Sequence, residues 1–184
     1  MIPIFKKMGR IHKMLDWIDR TMQSLIAKIT SDRQPRFSIS KATVEDLTSD
    51  DLLVKTVLVR VDFNVPIKDG KIQDDKRIQA AIPTINLLRS YDAKIVLVSH
   101  LGRPDGKMSE SLRLKPVADR LSDLLELEKP IQVNQSLDFE QAKTEIAALK
   151  PGEIYMLENI RFYPWEEQNS SVFSKSLASL SDLY

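Results

Sequence analysis

The chain has 184 residues, 42% apolar and 29% charged, the proportions of an ordinary water-soluble globular protein with one sizeable core. Its 27 basic and 26 acidic residues leave a net charge of +1, so bulk charge does not point to nucleic acid, and any electropositive site must be local. The absence of cysteine excludes disulfides, thiol catalysis and Cys-ligated zinc, and His12 and His100 lie too far apart for metal-ligand spacing.

The first thirty residues read as one amphipathic helix. Ile4, Met8, Ile11, Leu15, Ile18, Met22, Leu25 and Ile29 follow at alternating steps of four and three, a heptad seam. Six basic side chains stand against Asp16 and Asp19 in this stretch. Three readings fit: a helix partner bound through residues 4–29, an anionic membrane surface, or packing on the chain's own domain. Residues 31–42, polar and broken by Pro35, read as a linker. No apolar run reaches the roughly 20 residues that span a bilayer, and the first residues lack the apolar stretch of a secretory signal. A cytoplasmic location is the default expectation.

From Thr56 onward the pattern changes. The apolar, β-branched runs Val57–Val61 and Lys94–Val98 predict buried strands; Ile131–Val133 and Ile154–Leu157 predict shorter ones. Helices are expected over Ile78–Leu88, Leu114–Leu127 with Pro116 in its first turn, and Phe139–Leu149. Asp138 and Gln141 are spaced for a capping box at the last of these. A final helix is expected over Val172–Leu180, and the sequence ends where a further strand is expected to begin. Strands alternating with helices predict an α/β fold, a Rossmann-like three-layer parallel sheet that is incomplete as given, covering residues 43–184.

Ligands of open α/β sheets gather at the carboxyl ends of the strands. Asp62-Phe63-Asn64-Val65-Pro66 follows the first predicted strand, Ser99-His100-Leu101-Gly102-Arg103-Pro104 the second, and Glu158-Asn159-Ile160-Arg161-Phe162 the last. Arg77 opens the helix beside them. Arginine grips phosphate or carboxylate through two hydrogen bonds, so several such groups on one rim suggest a small ligand with more than one anionic group. Taken singly, each has a plainer reading. Arg60 is equally a strand-edge residue, His100 a structural histidine, Arg161 a surface charge, and Asp62 a turn former ahead of the Asp69-Gly70 turn. Convergence on one rim is what favours an anion site.

Those segments, with Arg60-Val61 before the first and Asp105-Gly106 after the second, resemble signatures of the phosphoglycerate kinase family in order and spacing. Asp74-Asp75-Lys76-Arg77-Ile78 with Ala80–Ile85 resembles a fourth. The resemblance runs from about Val44 to Tyr184. It implies reversible phosphoryl transfer between 1,3-bisphosphoglycerate and ADP, giving 3-phosphoglycerate and ATP. On the same resemblance, Asp62 and Asn64 orient the glycerate, His100, Arg103 and Arg161 surround its phosphate, and Arg77 is the catalytic arginine. The family's cofactor is Mg-ATP or Mg-ADP, held by a second domain. No nucleotide site is evident in this chain, whose five glycines form neither G-x-x-x-x-G-K nor G-x-G-x-x-G. The family's further phosphate-binding arginine lies past the position of Tyr184, so weak phosphoglycerate binding without ATP-dependent turnover is expected of these residues by themselves. A non-catalytic anion-binding or interaction module is the alternative. Phe162–Glu167 departs from the family, which has small residues where Pro164 and Trp165 stand.

Overall fold

A computed structural model describes residues 43–184, so the heptad helix and the linker expected over 1–42 lie outside the described residues. The elements, in chain order, are α1 (Ser49–Leu52), β1 (Thr56–Arg60), β2 (Ile67–Lys68), β3 (Lys71–Ile72), α2 (Lys76–Ser90), β4 (Lys94–Val98) and α3 (Lys115–Leu124). There follow β5 (Gln132–Val133), α4 (Phe139–Ala147), β6 (Ile154–Met156), α5 (Pro164–Glu167) and α6 (Ser171–Ala178).

The four strands expected from their apolar runs form one parallel sheet in the order β1-β4-β6-β5. Side chains alternate across a strand, so consecutive residues feed opposite faces. Val57, Ile95, Leu97, Ile154 and Met156 pack with Ile78, Ile85 and Leu88 of α2 and Val117, Ala118 and Leu121 of α3. Leu58, Val96, Val98 and Tyr155 pack on the other side with Ala142 and Ile146 of α4 and Phe173 of α6. Helices thus cover both faces, which gives the expected three layers. Each fully buried Leu or Ile contributes on the order of 1.5–3 kcal/mol.

Four local features differ from the sequence expectations or add to them. Asp69 and Gly70, both at positive φ, turn the small antiparallel hairpin β2–β3, which the turn signal marked without its strands. Pro83 is accommodated inside α2, which therefore runs past it at both ends. The Asp138–Gln141 capping box does not form. Asp138 Oδ1 accepts from the Glu140 amide at 2.9 Å, while Gln141 Nε2 donates forward to Glu145 Oε1 at 2.8 Å, the i,i+4 partner on the exposed face. Finally, Leu183 already pairs in parallel beside Val57, and its carbonyl accepts from the Leu58 amide at 2.9 Å. The outer edge of β1 is therefore occupied at one point. Among the described residues no helix is long and apolar enough to cross a membrane.

Candidate functional site

The chain leaves β1, β4 and β6 at the same edge of the sheet, because parallel strands share a direction. Their exit segments are then tied together by buried polar side chains. Ser99 Oγ accepts from the Phe63 amide at 2.9 Å, joining the segments after β4 and β1. Asn159, with no exposed surface, joins those after β6 and β4. Its Nδ2 donates to the carbonyls of Leu101 at 2.8 Å and Leu112 at 3.0 Å, and its Oδ1 accepts from the amides of Leu101 and Arg161, each at 3.2 Å. Glu158 is equally buried. Its Oε1 accepts from the Leu114 amide at 2.8 Å, and its Oε2 accepts from Arg113 Nη1 at 3.2 Å, which compensates the buried charge.

On this frame stand the expected site residues. Asp62 Oδ1 caps its own turn by accepting from the Asn64 amide at 3.1 Å, and Oδ2 receives Arg77 Nη1 from the first turn of α2. Burial pushes the Asp62 carboxyl upward, but the Asn64 amide and Arg77 together outweigh it and hold it below the ordinary carboxylate value. Asn64 Oδ1 accepts from the Gly102 amide at 2.9 Å, while its Nδ2 makes no hydrogen bond to a described residue. The Gly102 carbonyl in turn accepts from Arg161 Nη1 at 2.9 Å. Gly102 has φ +62°, which suits glycine, and it is clamped between groups from the other two exit segments.

His100 is half-buried on the same rim. Burial lowers its pKa, Arg161 and Arg60 lower it further, and Asp62 and Glu166 oppose them. Arg60, His100, Arg161, Asp62 and Glu166 therefore share one electrostatic neighbourhood. Asp62, Asn64, Arg77 and Arg161 are joined directly or through Gly102, and His100 stands in their electrostatic neighbourhood without a hydrogen bond to any of them. Arg103 is exposed and makes no hydrogen bond or ion pair with a described residue. The arrangement offers guanidinium and imidazole donors at a rim, with carboxylates already engaged by arginines. It suits binding of a small multiply charged anion. Among the described residues no group of three or more His, Cys, Asp or Glu side chains is placed to hold a metal ion.

Sequence reasoning left Arg60 open and passed over Glu166, Ser99 and Asn159 as individual residues. Arg60 Nη2 bonds Glu166 Oε1 at 3.0 Å, and Glu166 Oε2 lies 3.9 Å from Arg161 Nε. The available signal was positional: Arg60 is the last residue of an apolar strand, and Ser99 and Asn159 are among the first polar residues after two others. Nothing in the sequence pairs residue 60 with residue 166.

Residues 44–184 match the phosphoglycerate kinase family. The chain is 53% identical over 146 residues to the phosphoglycerate kinase of Dictyoglomus turgidum, and 51% over 147 residues to that of Synechococcus elongatus. Each alignment covers 79% of this chain and 36% of the relative, so the chain spans about a third of the length of the curated relatives it matches. Among solved structures, phosphoglycerate kinase from Pyrococcus horikoshii superposes with a TM-score of 0.65 at 34% identity, over 78% of this chain and 36% of that one. The Coxiella burnetii phosphoglycerate kinase does so with a TM-score of 0.63 at 36% identity, over 71% and 32% respectively.

Proposed function

The chain belongs to the phosphoglycerate kinase family, and on that premise we propose that residues 43–184 are the phosphoglycerate-binding portion of an enzyme that moves a phosphoryl group between 1,3-bisphosphoglycerate and ADP. The observation that carries this reading is the Gly102 clamp. Asn64 and Arg161 hold one residue by the two peptide groups that flank it, in the neighbourhood that also contains His100, Asp62 and Arg77.

Asp62 and the free amide of Asn64 orient the glycerate hydroxyl and carboxyl groups. Arg161, Arg103 and His100 surround the 3-phosphate. Arg161 is pre-oriented by Gly102, so little rotamer freedom is lost when it binds. In the forward direction the bond between phosphorus and the acyl oxygen of 1,3-bisphosphoglycerate breaks. A terminal phosphate oxygen of ADP forms the new bond, and the leaving group departs as the carboxylate of 3-phosphoglycerate. Arg77 leaves Asp62 to compensate charge on the equatorial phosphoryl oxygens, and positioning plus such electrostatics is most of the catalysis in this chemistry. Mg-nucleotide supplies the phosphoryl acceptor or donor. The rim offers arginines to phosphate but, among the described residues, no ligand set to magnesium. In this reading the location is cytoplasmic.

Titration of the 184-residue chain with 3-phosphoglycerate, followed by NMR, tests the reading. Shifts should cluster at Asp62, His100 and Arg161. Arg161→Ala should weaken binding by about tenfold or more, since a charge-assisted hydrogen bond contributes about 1.5–3 kcal/mol. Arg103→Ala should also weaken binding while leaving stability within about 0.5 kcal/mol, because Arg103 has no partner among the described residues to lose. A folded spectrum whose rim signals ignore millimolar ligand would sink the assignment.

A further inference from the structure

We propose that Glu166 is a built-in counter-ion of the anion site: its carboxylate holds Arg60 while the site is empty, and turns to Arg161 Nε when an incoming phosphate takes Arg60. The proposal rests on the reading of the rim as a phosphate site, and it adds a residue that this reading leaves without a role.

The motive is an unequal sharing of one carboxylate. Glu166 Oε1 accepts from Arg60 Nη2 at 3.0 Å, a full hydrogen bond. Its Oε2 stands 3.9 Å from Arg161 Nε, beyond hydrogen-bond reach. Glu167 Oε1, at 3.5 Å, does not satisfy that nitrogen either, and Arg161 Nε is buried with no hydrogen-bond partner among the described residues. A buried donor left unmade is costly, so Arg161 has an outstanding demand for an acceptor. Glu167 is the nearer carboxylate, but Glu166 is the one shielded from water. Its side chain is 13% exposed against 52% for Glu167, and it already lies between the two arginines. An approach of about 1 Å would complete the bond.

The backbone holds Glu166 at that place. Pro164 opens α5 against Gly106, whose amide in turn donates to the Arg161 carbonyl at 3.2 Å. The Ser170 amide donates to the Trp165 carbonyl at 3.1 Å and closes the far end of α5. With the backbone held from both sides, adjustment falls to the Glu166 side chain. Arg60 is half exposed, so it is free to swing toward a ligand. A phosphate entering the rim thus competes with Glu166 for Arg60. The displaced carboxylate does not return to water but to a buried donor that lacks a partner. Glu166 weakens the capture of small anions and couples capture of a phosphate to completion of the Arg161 hydrogen bonds.

The test measures binding of inorganic phosphate and of 3-phosphoglycerate to the full chain and to Glu166→Gln, together with the arginine Nε–Hε NMR signals. Glu166→Gln keeps the size of the side chain and removes its charge. It should tighten phosphate binding by about threefold to tenfold at low salt, with the gain shrinking as salt is raised. In an Arg60→Met background the gain should disappear, which a merely structural role for Glu166 would not produce. In the unaltered chain the Arg161 Nε–Hε signal should move downfield as 3-phosphoglycerate saturates, and it should move by less in Glu166→Gln, whose neutral amide oxygen is the weaker acceptor. Equal or weaker phosphate binding by a folded Glu166→Gln, or an Arg161 signal indifferent to saturating ligand in the unaltered chain, overturns the counter-ion role while the phosphate site stands. If neither protein binds either probe, the phosphate reading itself fails, and the counter-ion role with it.

Discussion

Asn159 and Leu101 exchange two hydrogen bonds, the Asn159 amide donating to the Leu101 carbonyl at 2.8 Å and accepting from its N–H at 3.2 Å. A side chain thus completes the backbone of a loop from another strand. Both residues are buried, so no water replaces either bond when the side chain is removed. Asn159→Ala leaves both Leu101 groups and the Leu112 carbonyl unpaired, and each such group costs about 1–3 kcal/mol. A loss near 3 kcal/mol is expected in urea denaturation, with the largest NMR changes at Gly102 and Arg161. A loss below 1 kcal/mol would show that the rim loops hold themselves without Asn159.

Two glycines of the same rim should respond unequally to alanine. Both have positive φ, +62° at Gly102 and +71° at Gly106, so each substitution carries about 1–2 kcal/mol of backbone strain. An added Cβ at Gly102 would meet the tip of the Leu112 side chain at 2.7 Å, which can turn away. At Gly106 it would meet Pro164 Cα at 2.9 Å, which is backbone held in α5. Gly106→Ala should therefore destabilise more than Gly102→Ala, and thermal melts of the two variants compare them directly. Gly102→Ala should instead show its effect in 3-phosphoglycerate affinity, because Gly102 carries the Asn64 and Arg161 contacts.

His100 should make stability and binding depend on pH in opposite directions. Burial, with Arg161 adding to it, holds the folded pKa below the ordinary value of 6.5. Below pH 6.5 the unfolded chain then binds a proton more readily than the folded one. This contribution to stability is complete above pH 6.5 and is lost as pH falls from there through the lower folded pKa. A bound anion favours the imidazolium, so ligand should raise the His100 pKa. An NMR titration of the His100 ring should find its midpoint below 6.5 in the free chain and higher with saturating 3-phosphoglycerate. An unmoved midpoint would place the ligand away from His100.

Much of the scaffold was legible from local pattern alone. Val57–Val61 and Lys94–Val98 announce strands because buried parallel strands are apolar on both faces, and Asp69-Gly70 announces a turn because only such residues accept positive φ cheaply. Asp62, His100 and Arg161 could be marked as site candidates because residues just past parallel strands share one edge of the sheet. The Asp138–Gln141 pair shows the limit. Spacing suited a capping box, but Gln141 found Glu145 on its own helix face instead.

Residue types and their periods thus determined which segments are strands or helices and which polar groups end up on one rim. Those are consequences of backbone geometry and hydrophobic periodicity, both local. The tertiary structure alone decided the strand order β1-β4-β6-β5, the return of Leu183 to the edge of β1, and the partners chosen on the rim. Asn64 faces the N–H of Gly102, Arg161 faces the carbonyl of the same residue, and Arg60 meets Glu166 across 106 residues of chain. Such pairs depend on how loops pack once the sheet has assembled, and charge and hydrogen-bonding capacity carry no address along the sequence.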